Sequence, residues 1–179
     1  MRAKCYLDIQ ALGVGEEMPH YAVVAKALHV LHGAFAGSGG QFAIALPDAK
    51  QGKNRTIGHT IRIFAESSVD LYGLIEKVKG HHLMRDYMRM SMPKDVPEDF
   101  AGTWTAWRRV RVQKKEGINK EKTIQRVKEA AFFEMPSSNG HLFPIYIFQE
   151  PGKPQTEPFN PNSYGFASLD NLFSLPDLP

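Results

Sequence analysis

The chain has 179 residues, 42% of them hydrophobic, which is enough for one compact unit or two small lobes sharing a core and excludes a disordered tail. Its single cysteine, Cys5, excludes an intramolecular disulfide and a cysteine-rich zinc module, so a reducing compartment is expected. The first twelve residues lack an apolar signal segment, and no stretch reaches the length of a membrane span. We therefore expect a soluble, cytoplasmic protein with no membrane partner.

The charge is concentrated in one segment. The whole chain carries a formal +3, but residues 108–128 hold nine Lys or Arg and two Glu, a local +7. The remainder is therefore mildly acidic, at −4. This distribution is typical of a protein that binds a polyanion, because Lys and Arg release the counterions condensed on phosphates. A solvated surface helix is the alternative interpretation.

The first half of the chain alternates between strand and helix patterns. Apolar residues recur at every second position in some segments and at helical spacing in others. The predicted strands cover 4–12, 41–46, 59–65 and 83–90, and the predicted helices cover 19–36 and 67–79. The glycine-rich run 37–40 ends the first helix, since glycine tolerates the left-handed conformation just past a helix end. This order of elements predicts a ferredoxin-like βαββαβ unit.

The second half is predicted to form a smaller α/β lobe that carries a basic helix. Two prolines between 92 and 97 interrupt regular structure and indicate a lobe boundary. The predicted strands cover 104–113 and 142–148, the basic helix covers 119–129, and an ordered loop covers 150–163. The predicted fold class is therefore α+β, with a ferredoxin-like domain at 1–92 and a C-terminal domain at 93–179.

Two histidines, His29 and His32, lie near the end of the first predicted helix. Histidine is the side chain whose ordinary pKa lies closest to neutral pH, so it suits removal of a proton from a ribose 2′-hydroxyl. Two His three residues apart on a helix also suit a metal, but neither a HExxH-type pattern nor further ligands accompany them. Taken alone, the pair is better interpreted as residues flanking the apolar stripe.

The basic segment divides into a strand and a helix with different predicted roles. Alternation places Arg109, Arg111 and Gln113 on one strand face, where Arg can meet a guanine edge and Gln an adenine edge. The major groove of an RNA helix admits side chains only where it opens, at a helix end or beside a loop. The cations of the helix are expected to contact phosphates. The predicted RNA-binding residues of the segment are Arg108, Arg109, Arg111, Gln113, Lys114, Lys115, Lys120, Lys122, Arg126 and Lys128.

Two loops, 135–143 and 163–166, combine glycine with small hydroxyl donors and aromatic residues. A hydroxyl in such a loop can hold a phosphate or a sugar, and an exposed Phe can stack on a terminal base pair. Each of these residues, taken singly, is better interpreted as part of an ordinary turn or core.

Five short motifs follow one another along the chain. They are YLDIQ at 6–10, LHGAF at 31–35 followed by Gly-Gly and IALPD, RVQKK at 111–115, GHLF at 140–143 and SYGFAS at 163–168. In this order they resemble the CRISPR-associated endoribonuclease that processes precursor crRNA in type I-F systems. The resemblance implies cleavage without a metal or other cofactor, by 2′-oxygen attack that leaves a 2′,3′-cyclic phosphate. It also implies two kinds of partner, the crRNA repeat stem-loop and the other protein subunits of a surveillance complex.

The resemblance implies a role for each matched residue. His32 falls on the catalytic histidine, the general base toward the 2′-hydroxyl, and Tyr164 on a tyrosine that orients it. Arg111 and Gln113 fall on a pair that reads bases at the bottom of the hairpin stem. Phe143 falls on an aromatic residue that stacks beneath the last base pair. His29 matches none of these positions.

Two departures from the family pattern leave an alternative open. The active-site serine position falls on Pro136, so Ser137 or Ser138 must supply that hydroxyl, or it is missing. The basic helix is shorter and has Lys where the family has consecutive arginines, and Lys offers a point charge in place of a bidentate fork. The chain is therefore an endoribonuclease or, alternatively, a catalytically weak or inactive subunit that caps the hairpin. A single-strand binder on an RRM-like sheet is disfavoured, because residues 59–66 lack the Lys/Arg-Gly-aromatic pattern.

Overall fold

The computed structural model describes residues 1–13, 18–37, 41–110, 127–137 and 139–179. These residues form a mixed α+β fold with two antiparallel sheets, as the predicted class requires. The helices are α1 (His20–Ala36), α2 (Ser68–Val78) and α3 (His82–Tyr87). The strands are β1 (Cys5–Ala11), β2 (Ala43–Ala45), β3 (Thr60–Ala65), β4 (Met88–Met90), β5 (Lys94–Asp95), β6 (Trp104–Val110), β7 (Ala131–Pro136), β8 (Leu142–Pro151) and β9 (Leu175–Pro176).

The first sheet has the strand order β2-β3-β1-β4, and β5 also pairs with β1. The register sets Leu7 opposite Ile63 and Ile9 opposite Ile61, so the apolar residues of both strands are buried together. Helices α1 and α2 contact this sheet through their apolar stripes. The predicted strands at 4–12, 41–46 and 59–65 and both predicted helices are confirmed, with shorter strands than expected.

The prediction of one strand over 83–90 is wrong for most of its length, because the helix α3 occupies 82–87. Nδ1 of His81 accepts a hydrogen bond from the backbone N–H of Leu83 at 3.2 Å and so caps this helix. Leu83, Met84 and Met88 are buried and Tyr87 is half-buried, a spacing that suits one helical face. The capping bond and this spacing favour the helix over the alternation from which a strand was predicted.

The second sheet has the strand order β7-β8-β6-β9. Strands β6 and β8 confirm the predictions at 104–110 and 142–148, and β8 extends further, to Pro151. The sequence pattern did not predict β5, β7 or β9. Residues 127–129 are helical, as the predicted basic helix requires, while the rest of that helix and residues 111–113 lie outside the described residues.

The two sheets share one hydrophobic cluster rather than two separate ones. Helix α1 packs against β7, and the backbone N–H of Ile44 in the first half donates to the carbonyl of Gly165 in the second at 2.7 Å. Strand β5 follows the predicted boundary at 92/93 yet pairs with β1, with Cys5 opposite Asp95. The division into two domains therefore stays a prediction, and the site described below lies where the halves meet.

Two buried polar groups stabilise the first sheet. The buried guanidinium of Arg62 donates to both carboxylate oxygens of Asp8, at 2.7 and 3.0 Å, and to the carbonyls of Leu178 and Pro179. The Cys5 thiol is also buried, and its pKa is raised by that burial and by its hydrogen bond with Asp95.

In the described part of the chain, no helix combines the length and apolarity needed to cross a lipid bilayer.

Candidate active site

The imidazole of His32 is held by two contacts from the loop that contains Tyr164. The ring of His32 stacks on the ring of Tyr164 with 4.0 Å between centroids and 6° between planes. Its Nδ1 lies 2.8 Å from the carbonyl oxygen of Ser163. A carbonyl oxygen can only accept a hydrogen bond, so Nδ1 carries the proton and donates it. In the neutral ring Nε2 therefore has the free lone pair that a general base needs.

Helix α1 presents His32 at the edge of the core. Leu28 and Leu31 are buried, and His32, one position further, is half-buried at the boundary of the apolar stripe. His29 is exposed on the solvent side of the same helix. The two side chains are neighbours on the helix surface, but the contacts with Tyr164 and Ser163 are made by His32, which lies nearer the core.

The loop 162–166 is organised by the side chain of Asn162. Its Oδ1 accepts hydrogen bonds from the backbone N–H groups of Tyr164 at 2.9 Å and Phe166 at 3.3 Å. Gly165 has φ +82°, and its carbonyl accepts from the backbone N–H of Ile44 in β2 at 2.7 Å. A Cβ on Gly165 would lie 2.9 Å from a side-chain carbon of Ile44, so both conformation and space require glycine. The loop is thereby fixed against the first sheet, which fixes the Tyr164 ring.

Arg109 brings a positive charge to the same place. Its guanidinium carbon lies 4.3 Å from the centroid of the Tyr164 ring. The backbone supports this contact, because Arg109 N–H donates to the carbonyl of Ala167 at 2.9 Å and Ala167 N–H donates to that of Trp107 at 2.8 Å. One ring face has room for one flat group at such distances, so Tyr164 lies between His32 and Arg109. The site thus joins α1, β6 and the loop 162–166.

Arg108 lies on the opposite face of β6 and is not part of this site. Its side chain is 7% exposed and makes a bidentate ion pair with Glu150, with N to O distances of 2.8 and 3.1 Å. Successive residues of a strand point to opposite faces, so two consecutive arginines cannot both face one ligand. The structure pairs the Arg108 guanidinium with Glu150, and its predicted contact with RNA stays a prediction.

Ser137 lies in a tight turn between β7 and β8. Its N–H donates to the carbonyl of His141 at 2.8 Å, and its Oγ accepts from the N–H of His141 at 3.1 Å. Its carbonyl accepts from Gly140, whose φ of +77° suits the turn. The Oγ hydrogen is left to donate to a ligand. Phe143, just after the turn, is half-buried and packs against the core beside Met135, its partner in the strand pairing.

Several predicted site residues lie outside the described residues, and their roles stay predictions. They are Arg111, Gln113, Lys114, Lys115, Lys120, Lys122, Arg126 and Ser138. Lys128 is described and is exposed at the end of the helical turn 127–129. Among the described residues, no three His, Cys, Asp or Glu side chains are placed to hold a metal ion together.

A cavity of about 170 Å³ is lined in part by Ser163, the residue whose carbonyl contacts His32. Its lining includes the stacked rings of Phe35 and Phe42, together with Gln41 and Asn162.

Sequence reasoning missed Asn162 and the Ser163 carbonyl as parts of the site. The available signal was the run Asn-Ser-Tyr-Gly, because Asn often bonds the backbone two residues on and Gly supplies a positive φ.

A search of the curated proteins found no match. The model of the family described as CRISPR-associated protein (Cas_Csy4) matches residues 6–172, which include His32, Arg109 and the loop 162–166. The match covers most of the chain, so the protein belongs to the Cas_Csy4 family of CRISPR-associated proteins, a family associated with CRISPR RNA processing.

Proposed function

We propose that this chain is a metal-independent endoribonuclease that binds the repeat hairpin of precursor crRNA and cuts the strand at the 3′ base of the stem. The proposal depends chiefly on one observation, the 2.8 Å contact from Nδ1 of His32 to the carbonyl of Ser163. This contact leaves Nε2 as the proton acceptor. Membership of the Cas_Csy4 family supports the substrate class.

The proposed reaction begins at the ribose just before the scissile phosphate. Its 2′-hydroxyl gives a proton to Nε2 of His32 while the 2′-oxygen bonds to phosphorus. The bond from phosphorus to the 5′-oxygen breaks on the opposite side, and that oxygen takes a proton from the imidazolium or from water. The products are a 2′,3′-cyclic phosphate and a 5′-hydroxyl. General-base help contributes about 10²- to 10⁴-fold, so we expect a slow, near single-turnover enzyme.

The RNA is proposed to lie along the open side of the second sheet. Phe143 stacks beneath the last base pair of the stem, and its half-buried position supports this role. The position of Arg109 beside Tyr164 supports a contact with the strand near the cut. Arg111 and Gln113 read base edges, and the remaining cations contact phosphates. Those cations are Lys114, Lys115, Lys120, Lys122, Arg126 and Lys128.

We also propose a ferredoxin-like arrangement for residues 1–92 and an RNA-hairpin-binding domain for residues 93–179. The order β2-β3-β1-β4, with antiparallel pairs and a helix after β1 and after β3, supports the first. Tight retention of the cut hairpin suits a subunit that stays on the crRNA. We therefore propose that the chain joins other protein subunits in a type I-F-like surveillance complex.

The test uses the stem-loop of the CRISPR repeat encoded beside the gene. We expect this RNA to be cut in the presence of excess EDTA, with a cyclic phosphate at the new 3′ end. The same RNA with a 2′-deoxy nucleotide at the cut site should bind equally well and stay intact. Cleavage of the deoxy substrate, or loss of cleavage in EDTA, would refute the mechanism. Binding without any cleavage of the natural RNA would instead support the alternative, a hairpin-capping subunit.

A further inference from the structure

The loop between β2 and β3, residues 49–58, reaches the C-terminal end of the basic segment. Nη1 of Arg55 donates to the carbonyl oxygens of Val127 at 3.0 Å and Lys128 at 2.8 Å. Its guanidinium carbon also lies 4.6 Å from the centroid of the Phe132 ring. The last carbonyl groups of a helix accept no hydrogen bond within the helix, and Arg55 supplies donors for two of them. The loop thereby closes the end of the helix that carries Lys128.

Two further hydrogen bonds hold the same loop, one to the helical turn 127–129 and one to the second sheet. The backbone N–H of Gly52 donates to the carbonyl of Glu129 at 2.8 Å. Nε2 of Gln51 donates to the carbonyl of Gln149, in β8, at 2.7 Å. The loop is therefore attached at several points along its length. A segment held in this way loses little conformational entropy when it binds a ligand.

The loop is strongly basic. Residues 49–58 include Lys50, Lys53 and Arg55 and contain no Asp or Glu. Lys50 and Lys53 are exposed, and Lys128, whose carbonyl Arg55 holds, is exposed beside them. Each ammonium group is a compact point charge on a long stem, which suits a phosphate rather than a base edge.

Nearby acidic groups do not cancel this charge. Asp48, which precedes the loop, contributes one negative charge, because His59, whose Nδ1 lies 3.0 Å from Asp48 Oδ2, compensates it only when protonated. Glu129 adds one negative charge at the helix end, against the charges of the three basic loop residues and Lys128. The surface formed by residues 49–58 and Lys128, which we call the loop surface, is therefore net positive.

We propose that the loop surface is a second phosphate-binding site for the RNA hairpin, beside the basic segment. The inference rests on the proposed function, because it takes the hairpin as the ligand. Lys50, Lys53 and Lys128 bind backbone phosphates without base preference. Arg55 acts as a positioning residue, since its donors hold the helix end and the loop in a fixed relation.

The test compares two variants with the same loss of charge. The first is Lys50→Gln with Lys53→Gln. The control is Lys4→Gln with Lys79→Gln, in which each lysine is exposed and already lies beside a carboxylate, Glu66 or Glu76. Lys4 and Glu66 lie at the opposite end of β3 from the loop, and Lys79 lies at the end of α2, so neither lysine belongs to the loop surface.

The measurement is the dissociation constant of the repeat stem-loop, made with a 2′-deoxy cut site, as a function of salt concentration. Each lost phosphate contact lowers the slope of log affinity against log salt by about 0.7 to 0.9. The loop variant should therefore lose about one to two units of slope and bind about tenfold more weakly at 0.1 M salt. The control should match the unmodified chain.

Each result decides between the two proposals. If the unmodified chain binds the stem-loop and the loop variant keeps its slope, the loop surface is not a phosphate site and the proposed function stands. An equal loss of slope in the control variant would likewise overturn the inference, since it would be an effect of net charge. If the unmodified chain does not bind the stem-loop, the proposed function fails and this inference fails with it.

Discussion

The ring of His32 lies parallel to that of Tyr164, 4.0 Å away, while its Nδ1 bonds the carbonyl of the residue before that tyrosine. Both contacts come from one loop, so the loop sets the tilt of the imidazole as well as its tautomer. His29, one helical turn earlier, is exposed to solvent. The two histidines of α1 should therefore behave differently when replaced.

His32→Ala should abolish cleavage and leave hairpin affinity nearly unchanged, because the role proposed for this side chain is proton transfer and not binding. His29→Ala should cleave at the rate of the unmodified chain. Single-turnover cleavage and filter binding of the repeat stem-loop measure the two effects. Equal loss of cleavage in both variants would point to a paired metal or a structural role.

Two replacements of Tyr164 should distinguish what ring stacking contributes to the cleavage rate from what the phenol hydroxyl contributes. Tyr164→Phe keeps the stacked ring and should retain most of the cleavage rate. Tyr164→Ala removes a ring contact worth about 0.5 to 1.5 kcal/mol, which corresponds to a rate loss of roughly two- to tenfold if it acts only through His32. Single-turnover cleavage rates at saturating protein give the comparison. If Tyr164→Phe lost most of the cleavage rate, the hydroxyl would have a direct role.

Replacing Arg111 should affect RNA binding differently from replacing the cations of the basic helix. Base contacts determine sequence specificity, whereas phosphate contacts chiefly position the RNA. Arg111→Ala should cost about 1 to 3 kcal/mol of binding and relax the preference at one stem position. Lys122→Ala or Arg126→Ala should weaken all hairpins alike and flatten the salt dependence. Binding to a panel of stem variants tests this, and a uniform loss from Arg111→Ala would contradict base reading.

The double change Ser137→Ala with Ser138→Ala should lower the single-turnover rate at least about tenfold, which is about 1.4 kcal/mol of transition-state stabilisation. The reason is that a small donor near the cut can hold the ribose in line with its phosphate. Hairpin binding should change much less. An unchanged rate would mean that His32 and Tyr164 suffice and that the hydroxyl has no part in the reaction.

Arg108→Met should destabilise the fold by about 1 to 3 kcal/mol, because it removes the two charged hydrogen bonds that the buried Arg108 guanidinium makes with Glu150. Urea unfolding measures the change. A matched control is Arg85→Ala, which breaks an ion pair with Asp86 on the surface and should change stability little. Hairpin affinity measured on folded Arg108→Met protein tests the predicted RNA contact separately. An unchanged affinity would remove Arg108 from the RNA-binding residues, and a specific loss would support its place among them.

The elements that the sequence predicts well have strong local periodicity. Strand β1 alternates apolar and polar residues from Leu7 to Ala11, and α1 carries a continuous apolar stripe, so each was identified from its own residues. The helix within 83–90 was not identified, because the apolar residues of this segment fit both a helix and a strand. The capping hydrogen bond that Nδ1 of His81 accepts favours the helix. Strand β7 buries Ala131, Phe133 and Met135 in alternation, a short pattern that the adjacent basic segment obscured.

The candidate site is only partly readable from the sequence, because its parts come from distant segments. His32 and Tyr164 were identified by resemblance, but the bond from His32 to the Ser163 carbonyl spans 131 residues and uses a backbone atom, which no composition marks. The alternation of side chains along β6 could be predicted from the sequence, because consecutive strand residues such as Arg108 and Arg109 point to opposite faces. Which of them faces the site follows from the pairing of β6 with Ala167.

The bond from Ile44 to Gly165 has a consequence for solubility as well as for catalysis. Strand β2 forms an outer edge of the first sheet, and an open edge invites pairing with another chain. The loop that holds His32 takes up the Ile44 N–H on that edge. A variant that loosens the loop, such as Asn162→Ala, would therefore uncover an edge N–H at the same time as it releases the imidazole. Loss of cleavage and a tendency to self-associate should then appear together.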